Sequence, residues 1–277
     1  MAIIYLMSVS GAPGVSTLAT ALTVNWPRPA LLLEADTSKT SHLLGGYLGA
    51  RFKHDRGLTA AALANLRGGL TGEVLYQQTN GELGEGKYAI PGFSDLGGAH
   101  GSTYSFWTSM VRALDELPTT VNAPDLDIIV DAGRFTTGDN RAPLMARADA
   151  VTLVTGNTLP DFNAVTAAIT PIVQLLDTAG HRDYLSLVVQ KSPHGGIKGP
   201  TLFGENEIRS YLGSKKDVRL GRDAITTLPW DSEGAAQYSH GAGAPGRKSK
   251  YRAAVLELAT ALDRMTTDRR FTPGEGH

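Results

Sequence analysis

The chain has 277 residues, with 26 basic and 27 acidic side chains and a formal net charge of −1, so no global charge directs it to nucleic acid or to an anionic membrane, and any such contact must be a local patch. It contains no cysteine, which excludes disulfides, thiolate metal sites and cysteine nucleophiles and fits a reducing cytoplasm. The N-terminal MAIIYLMSV is apolar but far shorter than the roughly 20 residues that span a bilayer, and it lacks a basic flank, so it reads as a buried first strand.

In chain order, runs of β-branched and aliphatic residues predict strands at Ile3 to Ser8, Ala30 to Leu33, Tyr88 to Ile90, Asp127 to Val130, Ala150 to Val154 and Tyr184 to Val189. Helical patterns fall between and after them, at Ser16 to Val24, Thr59 to Leu66, Tyr104 to Leu117, Asp161 to Leu176, Gly204 to Leu212 and Lys250 to Met265. Uninterrupted apolar strands alternating with helices predict an α/β fold, a doubly wound and mostly parallel sheet flanked by helices. Ligands of such sheets gather at the carboxyl ends of the strands. The last helix carries Tyr251, Val255, Leu258, Leu262 and Met265 along one stripe and should dock on the body of the domain. The glycine-rich stretch from Gly69 to Ser102 holds one convincing strand and otherwise reads as surface connections. A single domain over residues 1–266 is expected, followed by a disordered tail over 267–277.

The first strand runs into SVSGAPGVSTLAT, Ser8 to Thr20. A strand, a glycine-rich turn and a helix form the outline of a phosphate-binding loop, in which backbone N–H groups and the helix N-terminus surround the phosphates, a lysine neutralises charge and a hydroxyl holds magnesium. Gly11, Ala12, Pro13, Gly14, Val15, Ser16 and Thr17 would form that cradle. The lysine position, immediately before Ser16, is Val15.

At these residues the sequence resembles the ParA/MinD family of deviant P-loop ATPases. Both of the family's loop lysines are missing: Ser10 stands at the signature position that reaches across a nucleotide-sandwich dimer, and Val15 at the ordinary one. LLLEADTSKTSHLLGGYLG is similar to the family's second motif, a strand ending in two carboxylates, here Glu34 and Asp36; DLDIIVDAGR is similar to its Walker B strand, ending at Asp131. The resemblance continues through ARADAVTLVTGNTLPDFNAV and on to YLSLVVQKS and TLPWD, and so covers roughly Ile3 to Met265. It implies a P-loop NTPase fold and ATP or ADP with Mg2+ as ligand. Ser16, Asp36 and Asp131 would then lie around the metal, Asp36 would arrange the attacking water, and Gln190 and Pro229 would lie at the adenine pocket. It also implies a homodimer, a partner protein, and a role in partitioning or positioning DNA or a cellular assembly. Without the lysines, a scaffold or adaptor that keeps the fold and has no catalysis is the alternative.

A triphosphate carries about four negative charges, so losing the loop cations weakens hydrolysis more than binding. Lys39, Arg134, Arg141 and Arg147 follow the two carboxylate strands and are the candidate replacements. The densest basic patch is GRKSKYR, with Arg247, Lys248, Lys250 and Arg252; it reads either as a solvated helix start or as a contact for DNA or membrane phosphate. His54, His100, His181, His194 and His240 show no metal-type spacing. The expected outcome in calorimetry is weak or absent ATP binding with poor turnover. Micromolar affinity for magnesium-ATP with ready turnover would contradict that expectation and would require a replacement cation.

Overall fold

The structure is a computed structural model, and it describes residues 1–10, 12–80, 82–180, 185–192, 203–214, 224–241, 243 and 248–271. Its strands are β1 (Ile3–Ser8), β2 (Ala30–Glu34), β3 (Glu82–Gly84), β4 (Lys87–Ile90), β5 (Asp127–Arg134), β6 (Ala150–Gly156), β7 (Leu185–Gln190) and β8 (Ile225–Leu228). The helices are α1 (Val15–Asn25), α2 (His42–Gly45), α3 (Leu58–Leu66), α4 (Gly72–Tyr76), α5 (Leu96–His100), α6 (Tyr104–Thr120), α7 (Ala142–Arg147), α8 (Leu159–Thr178), α9 (Glu205–Gly213), α10 (Ser232–His240) and α11 (Lys250–Phe271).

The strands form one sheet in the order β3-β4-β2-β5-β1-β6-β7-β8. Every pairing is parallel except that of β3 with β4 at one edge. This is the doubly wound, mostly parallel sheet expected from the apolar runs. Strand β1 lies between β5 and β6, so the order turns there and the loop after β1 opens at a topological switch point, where open α/β sheets bind ligands.

Alternation along the strands divides the core into two layers. Ile3, Tyr5, Leu31, Leu33, Ile128 and Val130 meet Trp107, Met110 and Leu114 of α6 and, further along, Val165, Ile169 and Ile172 of α8. On the other side Ile4, Leu6, Leu32 and Ile129 meet Leu18 and Leu22 of α1, Tyr238 of α10, and Tyr251, Val255, Leu258 and Leu262 of α11. The stripe expected on the last helix therefore does dock on the domain, with Met265 packed at its margin. Helix α8 is the one helix among the described residues long and apolar enough to cross a membrane, yet its Phe162, Val165, Ile169, Ile172, Val173 and Leu176 are buried in this core.

Three expectations need correction. The stretch from Gly69 to Ser102 contains α4, β3, β4 and α5, where only one strand was expected: its elements are too short for periodicity to show, and they are fixed by side-chain caps such as Thr71 on Val74 N–H and Asp95 on Gly98 N–H. Strand β8 was not anticipated, because Ile225 to Leu228 is a four-residue run with two threonines. Helix α11 continues to Phe271, past the expected helix end at Met265; residues 272–277, Gly11, Tyr184, Arg247, His181 and His194 lie outside the described residues.

Arg141, only 2 % exposed, joins the ends of two central strands. Its guanidinium donates to Ala35 O (3.1 Å), to Arg134 O (2.7 Å) and to Ala132 O, and it is paired with Asp139 at 2.5 Å. Burial works against the charge, but the ion pair and hydrogen bonds with Asp139 keep the group firmly cationic. Removing one partner of such a buried network leaves carbonyls and a carboxylate without donors. Arg141→Met should lower unfolding stability by about 3 kcal/mol, measured by urea denaturation; a loss within the range of surface substitutions would contradict this account.

Candidate functional site

The site lies at the carboxyl ends of β1, β2 and β5. Gly14 caps α1 in a left-handed conformation, φ 91°, which side chains other than glycine rarely adopt. Its carbonyl accepts Leu18 N–H at 2.8 Å, and among the described residues no side chain caps the first turn of α1. The first-turn N–H groups thus have no side-chain acceptor among the described residues, an arrangement suited to anions.

The loop forms a wall shared by two cavities. One, of about 500 Å³, is lined by Ser8, Ala12, Pro13, Gly14, Val15, Ser16 and Thr17 together with Asp36, Ser38, Lys39, His42, Gly133 and Arg134. The other, of about 440 Å³, shares Ala12, Pro13, Gly14 and Thr17 and extends to Gly156, Asn157, Asp161, Gln190, Lys191, Trp230, Asp231 and Tyr251. Gln190 lines this second cavity, its side chain donating to Pro229 O at 3.1 Å. Pro229 contributes that carbonyl and does not line the cavity; the adjoining Trp230, 54 % exposed, does. Trp230, Asn157 and Asp161 were not singled out from the sequence, although each sits just beyond the carboxyl end of a strand, the position where a parallel sheet presents ligand-facing groups.

The carboxylates are balanced in different ways. Glu34 and Asp131 are register neighbours on β2 and β5. Glu34 accepts from His42 N (2.5 Å), Leu43 N (3.1 Å), Gly92 N (2.8 Å) and Ser41 Oγ (2.5 Å); its carboxylate anchors α2 and the loop after β4. Asp36 accepts Ser38 N–H at 2.9 Å and the Ser38 hydroxyl at 2.6 Å on Oδ1, while its Oδ2 pairs with Lys39 at 3.2 Å. Asp131 accepts Gly133 N–H at 3.1 Å. Burial pushes the Asp131 carboxyl up to about 6 against the opposing pull of Lys39 and the Ser16 hydroxyl, and Glu34 and Asp36 add to the rise.

Among the candidate replacement cations, Lys39 is at the loop: its Nζ donates to Ser16 Oγ at 2.6 Å. Burial works against its charge, but Asp131, Asp36 and Glu34 hold the ammonium above its ordinary value. Arg134 lines the same cavity. Arg141 is committed to the strand ends, and Arg147 pairs with Asp115 at 2.9 Å and Asp149 at 3.6 Å, away from the loop. Val15 is buried among the apolar residues of α1 and β1, and the Ser10 hydroxyl donates to Asp161 at 3.4 Å.

Ser16, Asp36 and Asp131 supply the hard oxygen donors that magnesium requires. As arranged, they do not fit a divalent ion: Lys39 spans Ser16 and Asp36, and Ser38 and Gly133 each engage one further oxygen, of Asp36 and of Asp131 respectively. No group of three or more His, Asp or Glu side chains suited to a metal occurs among the described residues. The basic patch consists, among the described residues, of exposed Lys248 and Lys250 beside Asp231 and Glu233 and of half-buried Arg252, whose Nε donates to Asn25 at 3.4 Å.

No family model matches the sequence, and no curated protein matches it. The structure is similar to MinD of Aquifex aeolicus (TM-score 0.65, 16 % identity, covering 95 % of this chain and 97 % of that one). It is similar also to an ATP complex of a Cyanothece McdA variant (TM-score 0.62, 15 % identity, 94 % and 96 %). A third similar structure is a plasmid partition protein of Borrelia burgdorferi bound to AMPPNP (TM-score 0.58, 14 % identity, 94 % and 98 %). The chain therefore has the ParA/MinD P-loop fold over nearly its whole length, as the sequence resemblance implied.

Gly133 makes the approach of Asp36 to β5 feasible. Its φ is +59°, and a Cβ there would lie 2.1 Å from Asp36 Cγ. Gly133→Ala should cost about 2 kcal/mol or more through backbone strain and displacement of Asp36. In denaturant titrations, Asp36→Ala should relieve part of that loss, a coupling that independent sites would not show.

Proposed function

We propose that this chain is a nucleotide-binding protein of the ParA/MinD family, acting in the partitioning or positioning of DNA or a cellular assembly, with weak or lost ATP hydrolysis. The observation that carries this reading is the loop from Ala12 to Thr17 serving as the common wall of a polar cavity and a second cavity bearing Gln190 and Trp230. A nucleotide has that division: phosphates for the helix N-terminus and Lys39, and a nucleoside for the amide and the indole. Two of the similar structures hold ATP and AMPPNP in their complexes, which supports ATP or ADP as the ligand. The expected assembly is a homodimer that engages a partner protein. Contact with DNA or membrane phosphate would fall to Lys248 and Lys250 with Arg247 and Arg252.

A second reading, a scaffold or adaptor without catalysis, is favoured by Asp36. Its two oxygens are engaged by Ser38 and Lys39, so neither is open to orient an attacking water. Both readings share slow turnover and differ in whether nucleotide controls assembly.

Light scattering with and without ATP separates them: a nucleotide-dependent dimer is expected for the switch, and an indifferent mass identifies the scaffold. Val15→Lys adds the loop cation at a position that lines the polar cavity and should tighten ATP binding at least about tenfold by calorimetry. Because Val15 is buried, circular dichroism establishes that the variant folds, and no gain in a folded variant would count against phosphate binding at this loop.

A further inference from the structure

Lys39 stands where the sequence resemblance places a divalent ion. Its Nζ lies 2.6 Å from Ser16 Oγ and 3.2 Å from Asp36 Oδ2, and Ser16 shares the wall of a small cavity with Asp131. An ammonium has three donors. Two are directed at Ser16 and Asp36, and the third is available to the polar cavity that Lys39 lines. The side chain is 37 % exposed, so a ligand in that cavity can reach it.

We infer that Lys39 is the resident cation of this site: its ammonium takes the place of the magnesium ion between Ser16, Asp36 and Asp131, and a nucleotide's phosphates are bound there without a divalent metal. Magnesium demands near-octahedral oxygen coordination at about 2.0–2.1 Å. An ion at that position would have to displace the ammonium from Ser16 and Asp36, and until it did so the two cations would repel each other. The same contact explains how the loop dispenses with lysine at Val15: the positive charge arrives from the segment after β2. It adds one charge where a metal would add two, and it directs hydrogen bonds at fixed oxygens.

This inference rests on the nucleotide reading above, and the experiment separates the two. Calorimetry of ATP binding is run in magnesium and in EDTA on the wild type, Lys39→Met and Lys39→Arg, with circular dichroism to establish that each is folded. The wild type and Lys39→Arg should bind with affinities that agree within about threefold in the two media. Lys39→Met should bind at least about tenfold more weakly in EDTA and recover in magnesium. A wild type that needs magnesium, or a Lys39→Met protein indifferent to EDTA, overturns the inference while leaving the nucleotide reading intact. Should the wild type bind no ATP in either medium, the nucleotide reading fails, and Mn2+ alone, followed by electron paramagnetic resonance, decides the position of the cation. Uptake by Lys39→Met that the wild type refuses supports Lys39 as the metal's replacement, and equal behaviour of the two proteins refutes it.

Discussion

Three carboxylates lie close together at the carboxyl ends of two adjacent parallel strands, and the electrostatics of that crowding govern the site. Glu34, Asp36 and Asp131 are each no more than 5 % exposed. Buried anions this close cannot all stay charged without donors or a cation. Glu34 is satisfied by backbone N–H groups and the Ser41 hydroxyl, Asp36 by Ser38 and Lys39, and Asp131 by Gly133 N–H with Lys39 nearby. Burial, with a smaller addition from Glu34 and Asp36, pushes the Asp131 carboxyl up to about 6.

The backbone beneath the site is built to hold that arrangement. Arg141 ties Ala35 of the segment after β2 to Ala132 and Arg134 of β5, so the residues bearing Asp36 and Asp131 cannot drift apart. Gly133 bends β5 through a positive φ and clears the space that the Asp36 carboxylate fills. Because the framework is rigid and the cation sits on a side chain, charge can move from one segment to another while the cradle keeps its shape. The absence of both loop lysines is therefore compatible with the left-handed turn at Gly14 that opens α1.

The central strands were legible because each is buried on both faces and so reads as a continuous apolar run; Ile3 to Ser8 was placed to the residue. The edge elements β3 and β8 were not, since a three-residue pair around a turn and a threonine-containing strand carry little periodic signal. At the site, the order of loop, Asp36 and Asp131 was visible from the sequence motifs. Trp230 was not, because an exposed indole after a strand resembles any surface residue until β7 and β8 bring it beside Gln190.

Local pattern in the sequence was enough for the alternation of strand and helix, the glycine turn after β1, the two carboxylate strands and the absence of both loop lysines. Each of these depends on neighbouring residues or on residue identity alone. Tertiary structure decided which cation lies against the loop, which carboxylate anchors α2 and the loop after β4, and which face of the loop meets which cavity. Lys39 and Ser16 are 23 residues apart, and Glu34 and Gly92 are 58 apart. Electrostatic partnership follows distance in space, and that distance is set by strand order and register rather than by any spacing along the chain.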